Sequence, residues 1–349
     1  MKKLLMEFKA LNWNVAGAKY LEKRERSRMV FRKELNDALK KLIKTHKPDI
    51  AILQELVRYG TNKEDIIDTP RGYSYHPFTL IDTESLSIRA KWNKLERSGK
   101  WLKGTYFAQG NGFLFRKGLP HQPVWALPKD GRQKPRITRD NYIEKVSLES
   151  GLYFGDRDTE PRAALVAHFV FNPDSTPGKP LDIFVLNVHL TTLTMEREGV
   201  PEIDRRSTKV RMAQLDIIFD GIISRYNSWK RGGFRERGEH RKAEKWETFD
   251  RHEPVWILAG DFNSTPASQE YKAIQDLNFM DVVPHKGGGT KAPGPGNPAT
   301  LTLDYVFAGP AFIALDPLIM PSGIQDNHVV EDTRISDHLP MIANVPIWG

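Results

Sequence analysis

The chain has 349 residues, with 52 Lys and Arg against 44 Asp and Glu, a formal net charge of +8, 39% hydrophobic and 28% charged residues. This is the profile of a soluble globular protein with a sizeable core, and it excludes collagen, wholesale disorder and a bundle of membrane spans. Cysteine is absent, which excludes a disulfide scaffold, a thiolate zinc site, an iron–sulfur cluster and a thiol nucleophile together. Any metal must therefore sit on oxygen and nitrogen ligands, which favours Mg²⁺, Mn²⁺ or Ca²⁺ over softer ions. The positive balance favours a polyanionic partner: nucleic acid, a phosphorylated metabolite or an anionic membrane. Met1 to Ala10 has no apolar run of signal-peptide length, and no stretch is apolar enough for a transmembrane helix. The expectation is a cytoplasmic protein without stable membrane insertion.

In chain order, Phe8 to Val15 alternates apolar and polar residues and closes on Gly17, which predicts a strand. Arg26 to His46 carries Val30, Phe31, Leu35, Ala38, Leu39, Leu42 and Ile43 at helical spacing, with Pro48 as a stop signal. Asp49 to Glu55 predicts the next strand, an apolar run that ends in polar residues. The same grammar predicts strands at Arg162 to Phe171, Leu181 to Leu190, Pro254 to Asp261, Thr302 to Phe307 and His338 to Val345. Helices are predicted over Arg205 to Arg225 and Ser268 to Leu277. Three stretches read as insertions: a polar 85–104 with Trp92 and Trp101, a doubly charged 229–253, and a Gly- and Pro-rich 284–298. Chemically loaded strands flank each of them, so residues 1–349 read as one α/β domain with elaborated loops.

Six strand-end or loop sites carry polar groups suited to chemistry: Asn14, Gln54-Glu55, Asn187-Val188-His189, Gly260-Asp261-Phe262-Asn263, Asp304 and Ser336-Asp337-His338. Taken singly, each has an ordinary explanation: a turn former, a strand-end carboxylate, a core histidine or a loop cap. Together they suit phosphodiester hydrolysis, which needs a metal on the phosphate, a polarised water and donors around the developing charge. Glu55 and Asp337 suit a hard cation. Asp304 and His338 suit an acid–base or electrostatic dyad. Asp261 and Asn263 project to one side of their strand and suit aligning a water or binding a phosphate oxygen. Walker, Gly-x-Ser-x-Gly and His-Glu-x-x-His patterns are missing.

The set resembles the endonuclease/exonuclease/phosphatase superfamily in order as well as in residues. The matching pieces are Trp13-Asn14-Val15, Leu53-Gln54-Glu55, Asn187-Val188-His189-Leu190, Gly260-Asp261-Phe262-Asn263-Ser264, Leu303-Asp304-Tyr305-Val306 and Ser336-Asp337-His338-Leu339-Pro340. The likeness implies a four-layer α/β sandwich, two packed and mainly antiparallel sheets flanked by helices, with the site at one end. It implies that Glu55 is the principal Mg²⁺ ligand (Mn²⁺ a possible substitute), with Asn14 beside the metal or phosphate and Asp337 helping to hold a metal. His189 would stabilise the charged transition state, and Asp261 would position or deprotonate the attacking water held by Asn263. Asp304 would orient His338 on the phosphate. Asn187 and Arg162 complete the expected substrate-binding residues, although a surface arginine is an equal reading of Arg162. Asn187 to Thr191 departs from the Tyr-x-Pro-Asn segment of apurinic endonucleases, which argues against abasic-site repair.

The expected activity is a Mg²⁺-dependent nuclease or nucleic-acid phosphodiesterase. A phospholipid or inositol-phosphate hydrolase and a non-catalytic nucleic-acid-binding module are the alternatives. Lys91, Trp92, Lys94, Arg97, Lys100 and Trp101 interleave cations with aromatics as strand-contacting candidates. Arg231, Arg235, Arg237, Arg241 and Lys242 are diluted by Glu236, Glu239 and Glu244 and read as a solvated insertion.

Overall fold

The structure is a computed structural model. It describes residues 4–17, 25–60, 62–82, 106–120, 125–126, 136–137, 143–149, 161–172, 180–193, 196–230, 254–283, 289–291, 300–310, 327–330 and 335–348. The predicted insertion 85–104, and with it the Lys91–Trp101 candidates, lies outside the described residues, as does 229–253 beyond Lys230. Of 284–298, only 289–291 are described.

Leu4–Asn14 forms β1, Ile50–Tyr59 β2, Glu64–Asp65 β3, Tyr73–Asp82 β4 and Phe107–Arg116 β5, with the helix Glu25–His46 (α1) between the first two strands. Ile143–Ser147 (β6), Ala163–Phe171 (β7) and Leu181–His189 (β8) follow. Next come the helix Pro201–Asp216 (α2), a π-helical stretch Ile217–Ser224 and a short helix Arg225–Lys230 (α3). Val255–Asp261 (β9), Gln269–Asp276 (α4), Met280–Asp281 (β10), Asp304–Pro310 (β11), His328–Val329 (β12) and Met341–Trp348 (β13) complete the two main sheets. One sheet has seven strands in the order β12-β13-β1-β2-β5-β4, with β3 on β2, and the other has six in the order β10-β11-β9-β8-β7-β6. The β1–β2 and β8–β9 pairs are parallel and the other pairings are antiparallel.

Side-chain alternation sorts the buried residues into three layers. Phe8, Ala10, Ile50, Ile52, Phe113 and Phe115 of the first sheet meet Leu165, Phe169, Ile183, Val185, Ile257 and Val306 of the second. The opposite face of the first sheet, with Leu11, Trp13 and Leu53, is covered by Phe31, Leu35, Leu39 and Leu42 of α1. The outer face of the second, with Phe184, Leu186, Trp256 and Leu258, is covered by Leu215 of α2, Ile218 and Ile222 of the π-helical stretch, and Ile274 of α4. Helix, sheet, sheet, helix: the expected four-layer sandwich is present. Each fully buried large apolar side chain contributes roughly 1.5–3 kcal/mol relative to exposure.

Several boundaries differ from the sequence reading. The second long helix starts at Pro201 rather than Arg205, because proline suits the first helical turn, where its missing N–H is not needed. Its apolar continuation from Ile217 runs as π-helix rather than α-helix. The last strand begins at Met341, not His338: the His338 N–H is taken by Ser336 Oγ at 3.0 Å, and Pro340 has no N–H to give a ladder. Among the described residues, no helix is long and apolar enough to cross a membrane.

Candidate active site

The face shared by the two sheets changes character at one end. Along β1 it reads Phe8 and Ala10, then Asn12 and Asn14; along β2, Ile50 and Ile52, then Gln54. Along β8 it reads Ile183 and Val185, then Asn187 and His189; along β9, Ile257 and Ala259, then Asp261. The parallel pairs put the C-terminal ends of all four strands at that end, and antiparallel β11 brings its N-terminal Asp304 there. The registers Asn14↔Gln54, His189↔Asp261 and Asp261↔Asp304 follow.

A layer of buried amides separates the apolar core from the site. Gln54 Nε2 donates to Asn12 Oδ1 at 3.0 Å and to Asn187 Oδ1 at 2.9 Å. Asn187 Nδ2 donates to the carbonyls of Leu53 at 3.0 Å and Gly112 at 2.9 Å, tying one sheet to the other. The structure therefore places Asn187 beneath the site, with its amide engaged by protein, rather than at its mouth.

Glu55 arrives by a different route. Strict alternation would aim it away from Gln54, but β2 carries a register irregularity between Leu53 and Leu56, and Glu55 has a positive φ of 54°. A bulge of this kind re-aims a side chain. The half-buried Glu55 Oε1 accepts from Asn14 Nδ2 at 3.3 Å, and the same nitrogen donates to Asp261 Oδ2 at 3.0 Å. Asn14 thus presents its nitrogen to two carboxylates, while its oxygen accepts the Ala16 N–H at 2.9 Å.

Asp261 lies between two imidazoles, its Oδ2 3.7 Å from both His189 Nε2 and His338 Nε2. Its Oδ1 accepts the Asn263 N–H at 2.9 Å, and Asn263, at φ 50°, anchors its own amide on the Leu190 carbonyl at 3.0 Å. Burial opposes the Asp261 charge, but His338, His189 and Lys291 outweigh it and hold the carboxyl at about 2. Glu55 is also lowered, burial being overcome by His189, His338 and the Asn14 hydrogen bond.

Asp304 and His338 meet at 2.8 Å through Oδ2 and Nδ1, and Thr290 Oγ1 donates to the same carboxylate oxygen at 2.7 Å. Burial disfavours an imidazolium, but Asp304 and Asp261 prevail and push His338 up to about 9. Burial and the neighbouring Asp261 keep Asp304 above its ordinary value, against the pull of His338. The loop carrying His338 is pinned to β1: Trp13 Nε1 donates to the His338 carbonyl at 3.0 Å, and Ser336 Oγ to the Asn14 carbonyl at 2.8 Å.

His189 is the opposite case. Burial and the adjacent Arg162 push it down to about 4. Arg162 Nη1 lies 3.4 Å from His189 Nδ1, and guanidinium is donor-only, so that nitrogen is the acceptor and the neutral ring keeps its proton on Nε2, facing Asp261. Arg162 is buried at the start of β7, which corrects its reading as a surface arginine. Asp337 stands 3.7 Å from Lys291 Nζ. Lys291 itself and Thr290 were not among the sequence candidates. They sit in a Gly- and Pro-rich stretch without strand periodicity, so no pattern pointed to them.

The donor set fits a hard divalent cation. Asp261, Asp304 and His338 place one side-chain atom each within 4.8 Å of one another. Because the protonated His338 ring has no free nitrogen lone pair for a metal, the ligands on offer are carboxylate oxygens, including those of Glu55 and Asp261 that share the Asn14 nitrogen. Among the described residues, the buried Asp304 Oδ1 has no hydrogen-bond partner, an orphan that a cation or water would satisfy.

A family model described as the endonuclease/exonuclease/phosphatase family matches residues 11–338. The chain belongs to the endonuclease/exonuclease/phosphatase family. Membership carries phosphoester hydrolysis as the general chemistry, usually with a divalent metal ion. Among solved structures, the chain is similar to an endonuclease/exonuclease/phosphatase from Beutenbergia cavernae, with a TM-score of 0.51 and 17% identity over 98% of this chain and 72% of that one. It is also similar to a functionally unknown conserved protein from Enterococcus faecalis, with a TM-score of 0.51 and 15% identity over 97% of this chain and 100% of that one. Both likenesses speak to the fold. No curated protein matches the sequence.

Proposed function

We propose that this family member is a Mg²⁺- or Mn²⁺-dependent phosphodiester hydrolase acting on nucleic acid. The observation that carries the reading is the Asp261 carboxylate, 3.7 Å from the imidazoles of both His189 and His338 and joined to Glu55 through Asn14. Glu55 and the carboxylate oxygens joined to it through Asn14 would hold the cation. When bound, the cation supplies an electrophile that draws charge from a phosphoryl oxygen.

The chain's own residues supply the rest. Against the cost of burial, His338, His189 and Lys291 keep Asp261 ionised, and the carboxylate positions the attacking water and receives its proton. The Asn263 N–H fixes the carboxylate in that pose. Protonated His338, kept in orientation by Asp304, places a cation against the charge developing on phosphorus-bound oxygen. Neutral His189 offers a Nε2–H donor whose tautomer is set by Arg162. Asn187 supports this frame from below. A net charge of +8 supports a polyanionic substrate.

The test is a panel of labelled single- and double-stranded DNA and RNA, with inositol phosphates and sphingomyelin alongside, assayed with Mg²⁺ or Mn²⁺ and after exhaustive EDTA treatment. Cleavage of nucleic acid that EDTA abolishes and added metal restores is the expected result. Full activity in EDTA refutes the metal requirement, and turnover confined to lipid or inositol phosphate refutes the substrate.

A further inference from the structure

Lys291 occupies a position that its segment fixes on several sides. Its N–H donates to the Leu301 carbonyl at 2.7 Å, and its own carbonyl accepts from Thr300 N at 2.9 Å and Leu301 N at 3.1 Å. It forms isolated bridges with both Leu301 and His338. One residue earlier, Leu339 N donates to the Thr290 carbonyl at 2.7 Å, while the Thr290 hydroxyl is bound to Asp304. A lysine on a backbone tied this closely to the dyad is delivered to the site, not left to wander.

Its Nζ stands 3.1 Å from His338 Nε2 and 3.7 Å from Asp337 Oδ2. The Lys291 side chain keeps 31% exposure whereas that of His338 keeps 2%, so the ammonium is the more open of the two nitrogens. An ammonium has three hydrogens and no acceptor. At most one reaches His338 Nε2, and Asp337 lies beyond hydrogen-bond length. If Nε2 accepts that hydrogen, the others remain for a ligand; if Nε2 carries its own proton, both nitrogens direct hydrogens into the same space. Either way, the complementary group is an anionic oxygen placed beside both nitrogens.

We propose that Lys291 is a substrate-contacting residue that binds a non-bridging oxygen of the phosphoryl group jointly with His338. The inference rests on the phosphoester-hydrolase reading above and adds a residue to it. Because a phosphoryl oxygen is already anionic before reaction, the contact acts in the ground state, and its loss raises KM and weakens product binding.

The experiment compares the wild type with Lys291→Met, which keeps an apolar stem without the ammonium, and Lys291→Arg, which keeps the charge. Binding of inorganic phosphate is followed by ³¹P NMR line broadening in Mg²⁺, beside KM and kcat on the cleaved substrate. Losing a charge-assisted hydrogen bond to phosphate predicts about tenfold to hundredfold weaker phosphate binding and a matching rise in KM for Lys291→Met. Lys291→Arg should recover most of both, and all three proteins should melt alike. Wild-type phosphate affinity in Lys291→Met, or a loss confined to kcat, overturns the lysine contact and leaves the hydrolase reading standing. A wild type that binds phosphate through Lys291 yet hydrolyses no member of the panel upholds the contact and overturns that reading.

Discussion

Gly260→Ala tests how tightly the strand registers hold the site. Gly260 has a φ of +147°, a region that L side chains rarely adopt, and a Cβ added there would meet the Val188 carbonyl oxygen at 1.9 Å and its carbon at 2.8 Å. Ordinary contact requires β8 and β9 to open by about 1 Å or more. They would open at the pair Val188↔Gly260, one residue from His189↔Asp261. Overpacking costs about 1–3 kcal/mol and the backbone strain about 1–3 kcal/mol more. Together these come to about 2–6 kcal/mol, so melting should fall by about 4–24 °C, given about 2–4 °C for each kcal/mol in a large domain. Displacing Asp261 from His189 by that distance should lower kcat/KM by about a hundredfold. The control is Gly221→Ala, whose Cβ would meet only Ile217 Cγ2, at 3.6 Å; it should change stability by less than about 1 kcal/mol and leave turnover intact. Differential scanning calorimetry and steady-state kinetics read both. A Gly260→Ala protein with wild-type melting and kcat/KM would refute the claim that strand register sets the site.

Asp304→Asn keeps the shape of the dyad and removes its charge, so the His338 ring should titrate well below the wild-type value of about 9, as read by NMR of the metal-free protein. In the wild type, His338 binds its proton more tightly folded than unfolded, so its contribution to stability is complete below pH 6.5 and is lost as pH rises through about 9. The variant should lack that decline, and an unchanged midpoint would remove Asp304 as its cause. Asn187→Ala strips partners from Gln54 Nε2 and from the Leu53 and Gly112 carbonyls, and should cost about 2–4 kcal/mol in denaturant unfolding. A loss below about 0.5 kcal/mol would show that the amide layer does not tie the sheets.

Much of the fold was legible because burial on one face leaves a period-2 imprint. Phe8-x-Ala10 and Ile183-x-Val185 identify inward positions, and extending the same count to Asn14, His189 and Asp261 puts them on the shared face. The count fails where the backbone breaks it. Glu55 is out of phase and reaches the site only through the irregularity before Leu56 and its positive φ, neither of which leaves a mark in composition. Besides the short β3, β6, β10 and β12, the two ten-residue strands β4 and β5 were not among the predicted elements; in them Pro77 and Gly110 resemble turn punctuation. Pro77 is tolerated because β4 lies at the edge of its sheet, and Gly110 is required because a Cβ there would come within 1.7 Å of the Phe78 carbonyl oxygen. Thr290 and Lys291 had no period to betray them, since irregular bridges place them rather than a strand.

That contrast separates two kinds of parts in the site. Asn14 stands on β1 of one sheet, and His189, Asp261 and Asp304 on three adjacent strands of the other; the inner faces of these strands are packed to full burial, so a change that moves one of them must also disturb the core. Such a change should cost stability and activity together, as expected for Gly260→Ala. Lys291 and Asp337 enter from segments outside the ladders, and the Lys291 side chain is partly open to solvent. Substitution there alters what the site binds without loosening what holds it, so new substrate preferences can arise at Lys291 at little cost to the fold. The invariant chemistry belongs to the strand ends and the adjustable recognition to the tethered rim, because only the rim can change without repacking two sheets.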